Sequence, residues 1–408
     1  DALDPDQRRA ATSPAMPLAV VAPAGSGKTR VLTARIAHRV AEGEIEPSHT
    51  LCVTFTRKAA EELRGRLRAI GLTEHLEAGT FHAIAWRCLR DRWSEQRRAE
   101  PTLLDRLGPF LAEEVVPDAS RPAVRDLVAE ISWARARLVT PETYADAARA
   151  AGRRHRSGAD WVATTFAAYT AAKQRRNMVD FDDLLGACTA AIDGDPAFAA
   201  AQRWRFRHLF VDEFQDVNPL QFALLDAWRG NRWDVFVVGD THQSIYGWNG
   251  ADASLLTGLA ERWPALETIH LDRTHRSSPQ VVAAAAAVVH AAGLPDRSPR
   301  STGAAGPPAT VHAHPTDVDE MTALTRHLRR GRGPGRPWSS FAVLARTHEQ
   351  VVGVERALSD AGIPCRLQRQ SGRLRQPAVR GVLRSLDGDD RPLRSALGAT
   401  IDAAPEEG

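Results

Sequence analysis

The stretch "VVAPAGSGKTRVL" (residues 20–32) decides the fold. An apolar run leads into a glycine-rich turn. Lys28 then opens a segment in which Val31, Leu32, Ile36 and Val40 recur at helical spacing. Strand, glycine-rich turn and helix together form the context that a phosphate-binding loop needs. Gly25 and Gly27 let the backbone wrap until its amides converge on phosphate oxygens, and the helix N-terminus adds partial positive charge. Lys28 is expected to reach the outer phosphates of ATP, and the Thr29 hydroxyl to ligate Mg2+. The usual first glycine of such a loop is Ala22 here. Pro23 has no amide hydrogen and so donates nothing to phosphate. Residues Ala22, Pro23, Ala24, Gly25, Ser26, Gly27, Lys28 and Thr29 therefore form the expected nucleotide loop, with Arg30 beside it.

A phosphate loop predicts a second strand ending in an acid. "LFVDEFQDVNP" (residues 209–219) supplies one: three apolar residues run straight into Asp212 and Glu213. Asp212 is the expected magnesium-side carboxylate, and Glu213 the group that accepts a proton from the attacking water. Gln215 and Asp216 exceed what a generic ATPase needs.

Composition narrows the class. The chain has 408 residues, a net charge of +3 and ordinary globular composition, with 43% apolar and 25% charged residues. This length suits two to three domains. No apolar run is long enough to span a membrane. The first residue is Asp1 rather than methionine, which reads as a trimmed segment, and no basic-then-apolar leader follows. Cys52, Cys88, Cys188 and Cys365 lack metal-ligand spacing, which suits a reducing cytoplasm. Three lysines (Lys28, Lys58 and Lys173) stand against fifty arginines, so a lysine here marks a site where a compact ammonium is wanted.

Strand and helix patterns alternate through residues 18–92 and 177–275, which implies a parallel α/β sheet with helices on both faces. Residues 93–176 read as helices without a strand, an insertion into that domain. Alternation resumes over residues 276–390, with extended segments expected at 309–312 and 341–344. Residues 391–408 read as a flexible tail.

The acid stretch resembles motif II of the UvrD/Rep-like group of superfamily 1 DNA helicases, whose pattern is DE-aromatic-QD. Other stretches resemble that group's motifs in the expected order. "LDPDQRRA" (residues 3–10) resembles the Q motif, "TFTRKAAEEL" (54–63) motif Ia, and "GTFHAIAWRCLR" (79–90) the next DNA-contacting motif. "VDFDDLL" (179–185) matches the stretch after the insertion. "VVGDTHQSIYGWNGAD" (237–252) resembles motif III, and "LDRTHRSSPQVV" (271–282) motif IV. "FAVLARTHEQVVGVERALSDAGIPCRL" (341–367) resembles the segment after it.

The resemblance implies a RecA-like P-loop domain with a helical insertion, followed by part of a second RecA-like domain. It also implies an ATP-dependent, 3′-to-5′ single-stranded DNA translocase acting at single-strand/duplex junctions, with a repair or recombination protein as partner. It places Gln7 and His275 on the adenine, and Gln243 and Arg276 at the γ-phosphate. DNA would meet Phe55, Thr56, Thr80 and His82, and would stack on Tyr246 and Trp248. Several positions depart from the pattern: Arg57 replaces an Asn, Gly247 and Asn249 replace two arginines, and His275 replaces a Tyr. Residues 384–408 hold nothing resembling motif V or motif VI. The expectation is a chain truncated before both, with a binding module lacking autonomous unwinding as the alternative.

Overall fold

The computed structural model describes residues 3–72, 76–295 and 298–367. The expectations for the end of the second domain, the tail and the motif V and VI search fall largely or wholly outside these residues. The described chain forms two compact units, one up to Ala309 and one from Thr310 onward.

The first unit is built on six parallel strands: β1 (Leu18–Val21), β2 (Thr50–Thr54), β3 (Glu77–Thr80), β4 (His208–Val211), β5 (Val235–Gly239) and β6 (Glu267–His270). Their order is β3-β2-β4-β5-β1-β6. The interior strands are buried on both faces, as parallel sheets with helices above and below must be. Alternation along each strand sorts the core. Leu18, Val20, Cys52, Phe210, Phe236 and Val238 face helices Pro5–Thr12, Lys28–Ala41 and Arg57–Ala69. Ala19, Leu51, Val53, Leu209, Val211 and Val237 face helices Phe81–Glu95, Phe181–Gly194 and Pro219–Arg229. The C-terminal ends of β1, β4 and β5 lead into the phosphate loop, Asp212 and Asp240 respectively, the edge at which such sheets bind ligands.

The insertion has its own apolar core, formed by helices Leu107–Glu114, Arg121–Ala136, Tyr144–Ala150 and Ala159–Arg175. It differs from the strandless expectation at its base. There Thr102–Leu103 and Met178–Val179 pair in parallel where the chain leaves and re-enters the sheet domain. Such two-residue strands are too short to leave a periodic signal. β3 was also missed by the sequence reading, because Glu77, Ala78, Gly79 and Thr80 carry no apolar alternation.

A buried ionic cluster ties the insertion to the sheet domain. Lys173 Nζ sits 2.5 Å from Asp180 Oδ2, which also accepts from the Tyr169 hydroxyl at 2.5 Å and from Arg135. Asp183 Oδ1 takes a second guanidinium bond from Arg135 at 2.6 Å. Burial works to raise the Asp180 pKa, but the charges of Arg135 and Lys173 outweigh it and hold the carboxyl below its usual range.

In the second unit, helices Asp317–Gly331 and His348–Asp360 pack around Leu328, Val354, Leu358 and Ile363. Segments 309–312 and 341–344 are not hydrogen-bonded into a sheet. A strand needs a paired neighbour, and none of the described residues supplies one. Val311 and Leu344 are accordingly 96% and 93% exposed.

Candidate active site and candidate nucleic-acid interface

The phosphate loop takes the conformation its glycines predict. Gly25 and Gly27 have φ of 76° and 87°, and Gly27 caps helix Lys28–Ala41. A side chain at Gly25 would come within 2.5 Å of Thr274 Oγ1, and one at Gly27 within 2.8 Å of Gln7 Nε2. The loop is braced from outside. Thr274 Oγ1 donates to the Ala24 carbonyl at 2.8 Å, and the His275 amide donates to the Gly25 carbonyl at 2.9 Å. Gln7 is buried and donates to the Ser26 carbonyl at 2.9 Å. It also forms a capping box with Asp4, whose Oδ2 lies 2.8 Å from His275 Nε2. Gln7, His275 and the loop are thus brought together through Asp4, a residue the sequence reading did not single out. Arg276 follows on the exposed side; its Cβ would lie 2.6 Å from a Cβ at Gly25. Arg30 lies in the first turn of helix Lys28–Ala41.

The acids after β4 close on the same loop. Lys28 Nζ pairs with Glu213 Oε2 at 2.8 Å, and the Thr29 hydroxyl lies 3.4 Å from Asp212 Oδ2. Glu213 has φ 51° and ψ 46°, the left-handed region that a non-glycine residue rarely occupies. Such strain costs on the order of 1–3 kcal/mol and persists where the surroundings impose it. One lysine serves three carboxylates here. Desolvation first, and then the charge on Glu213, push Asp212 up to about 6, and the same causes push Asp216 up to about 6. Asp216 Oδ1 is buried without a hydrogen-bond partner among the described residues. The pocket is therefore short of positive charge, and its carboxylates fit a divalent cation. Among the described residues no three His, Cys, Asp or Glu side chains are arranged to cage a metal alone. Magnesium is commonly held by one or two carboxylates together with substrate phosphates, which matches this donor set.

From Glu213 a chain of bonds runs sideways. Gln215 Nε2 donates to Glu213 Oε2 at 2.9 Å, and Gln215 Oε1 accepts the Asp240 amide at 2.8 Å. Asp240 Oδ2 accepts from Gln243 Nε2 at 2.7 Å, and the Ser244 hydroxyl donates to the Gln215 carbonyl at 3.2 Å. Two residues on, Tyr246 stacks against Phe55, with ring centroids 5.1 Å apart and planes 30° apart. Trp248 lies 6.4 Å from Tyr246 and is 66% exposed. Neither ring of the Tyr246–Trp248 pair is in the core. Beneath them lies a cavity of about 320 Å³ lined by Phe55, His82, Phe181 and Tyr246. Thr56 and Thr80 cap helices Arg57–Ala69 and Phe81–Glu95, accepting from the Ala59 and Ala83 amides respectively. His82 Nε2 stands 3.8 Å from Asp182 Oδ1. The insertion reaches the same loop through Arg137 Nη2, 2.8 Å from Asp252 Oδ2.

Comparison with known proteins shows the family. Residues 3–264 match the model of the UvrD/REP helicase N-terminal domain, and residues 269–388 that of the UvrD-like helicase C-terminal domain. The chain is 37% identical over 422 residues to a Mycobacterium tuberculosis protein named ATP-dependent DNA helicase UvrD2, covering 98% of this chain and 60% of that one. It is 32% identical over 365 residues to the ATP-dependent DNA helicase PcrA of Leuconostoc citreum, covering 85% and 47%. A Staphylococcus epidermidis PcrA is 30% identical over 371 residues, covering 89% and 50%. The chain thus spans about half to three-fifths of the length of these relatives.

Proposed function

The chain belongs to the UvrD/REP helicase family, and we propose that it is the ATP-hydrolysing, single-strand-gripping part of a 3′-to-5′ DNA motor. One observation carries this reading: the bonded path Lys28–Glu213–Gln215–Asp240 joins the phosphate loop to the turn that presents Tyr246 and Trp248. A nucleotide state sensed at Lys28 therefore has a physical route to the bases.

Lys28 Nζ lies 2.8 Å from Glu213 Oε2. Incoming phosphates compete for that ammonium, and the Glu213 carboxylate is then released to accept a proton from water. Bound magnesium would neutralise developing phosphoryl charge, with Thr29 and Asp212 as its protein-side partners. Gln243 and Arg276 are the side chains expected to contact the outer phosphate, Arg276 through a planar guanidinium. Gln7 and His275 form the adenine side. Thr56, Thr80 and His82 fit the backbone of a single strand whose bases stack on Tyr246 and Trp248. Residues 1–92 with 177–275 form the ATPase domain, 93–176 the insertion, and 276–390 the first part of a second domain.

A second reading is a module that binds nucleotide and single strands without unwinding duplex alone. Duplex unwinding by purified residues 1–408 would overturn it. The motor reading is tested by single-strand affinity at matched salt. Trp248→Ala is expected to lose about 1–3 kcal/mol, the worth of one stacked base. Affinities unchanged in both Tyr246→Ala and Trp248→Ala would remove the DNA ledge.

A further inference from the structure

Arginine is abundant in this chain, and in the first unit much of it is compensated. Arg39 pairs with Glu44 and Asp234, Arg153 with Glu130, and Arg92 with Asp195. The second unit contains a different arrangement. Arg326, Arg329, Arg330, Arg332 and Arg336 fall within eleven residues, and all five are exposed. The ion pairs found among the described residues involve none of them. The acids of the same helix, Asp317, Asp319 and Glu320, lie in its first turn, at the opposite end.

Part of this cluster has an ordinary explanation. Arg329 and Arg330 occupy the last turn of helix Asp317–Gly331, where positive charge is favoured by the helix dipole, and Arg329 donates to the Ala361 carbonyl. Arg332 and Arg336 lie beyond the helix, so the dipole does not account for them. They sit on a closed turn: the Arg336 amide donates to the Gly333 carbonyl at 3.0 Å. A side chain at Gly331 would come 2.9 Å from the Phe341 ring, so the turn presses down on that aromatic. The Arg332 guanidinium lies 5.0 Å from the centroid of Trp338, and that of Arg336 lies 4.8 Å from that of Phe341. Stacking fixes the plane of each guanidinium while leaving N–H edges available to phosphate.

We propose that the turn formed by residues 331–337 is a contact for the phosphate backbone of duplex DNA, an inference that rests on the DNA-motor reading above. The two aromatic faces already carry guanidinium groups, so this site is not the open stacking platform that Trp248 offers. It matches a partner whose bases are stacked internally and whose outside is phosphate. The contact is electrostatic and independent of sequence.

The test is the salt dependence of binding by the full 408-residue chain to a short blunt duplex and to a single strand of the same length. For R332Q/R336Q, the slope of log affinity against log salt on duplex should fall by about 1.8, about 0.9 for each lost phosphate contact. Single-strand affinity should stay unchanged. R332K/R336K should restore most of the duplex slope, because it keeps the charge and gives up the stacking. An unchanged duplex slope in R332Q/R336Q would overturn the proposal. So would equal losses in the Gln and Lys variants, which would assign the effect to packing. Failure of the motor reading would show elsewhere, as unchanged single-strand affinity in both Tyr246→Ala and Trp248→Ala.

Discussion

Lys28 and Lys173 are both buried beside carboxylates, in a chain that otherwise uses arginine for nearly every positive charge. Their surroundings act in opposite directions. Around Lys173, Arg135 and the Tyr169 hydroxyl share the load, and Asp180 is held below its normal range. Around Lys28, among the described residues, one cation faces Glu213, Asp212 and Asp216, and two of those carboxyls are pushed up to about 6. The first cluster is complete within the protein and serves to fasten the insertion. The second holds more carboxylate than cation, and the proposed function supplies the balance as a metal-bound nucleotide. Buried charge by itself therefore does not identify a site; the sign of the carboxylate shifts separates the two.

The largest expected effect breaks the complete cluster. Asp180→Ala leaves Lys173 and Arg135 short of their shared partner and is expected to cost about 3–5 kcal/mol of stability, read as a lower midpoint in urea unfolding. Nucleotide affinity of the folded protein should not change. A loss under about 1 kcal/mol would mean that the cluster is not the fastening described here.

Next comes Lys28→Ala, which removes a charge-assisted contact to phosphate. Affinity for a fluorescent ATP analogue is expected to fall about 10- to 100-fold. Unchanged affinity would end the phosphate-loop reading.

Smaller, but opposite in sign between the two clusters, is the pH dependence of stability in metal- and nucleotide-free protein. Asp212 and Asp216 hold their protons up to about pH 6, whereas an ordinary aspartate releases its proton near 3.8. The folded protein then binds more protons than the unfolded chain, so their contribution to stability declines as pH rises from about 4 through about 6. Asp180 behaves in reverse. Its contribution is present above 3.8 and is lost as pH falls through its depressed pKa. Replacing both Asp212 and Asp216 by Asn should remove the decline between pH 4 and 6; an identical profile would contradict the charge-deficient description.

How much of this was readable in the sequence follows from the range of the contacts. The phosphate loop and the acids after β4 are contiguous, and each residue type limits what its neighbours can do. That pattern is enough to expect Lys28 beside Glu213 and Thr29 beside Asp212, as they lie in the structure. Lys173 left a faint mark, a lysine among arginines, but nothing in the sequence pairs it with Asp180, Asp183 and Arg135. The bracing of the loop was not legible: His275 meets Asp4 across 271 positions. Nor was Gln215 as a bridge, since its partner Asp240 ends a different strand. β3 was missed because polar and small residues line it. Segments 309–312 and 341–344 read as extended from their composition, yet lie unpaired among the described residues, because hydrogen-bonded partners rather than side chains complete a sheet.

The proposed function requires the Lys28 cluster to be completed by a metal-bound nucleotide. It is tested most directly by titrating a non-hydrolysable ATP analogue, with and without Mg2+, into the wild-type chain and into Asp212→Asn. The expected result is tighter binding with Mg2+ in the wild type, and loss of that dependence in Asp212→Asn with metal-free affinity at least preserved. Equal wild-type affinity with and without Mg2+, or full metal dependence retained in Asp212→Asn, would contradict it.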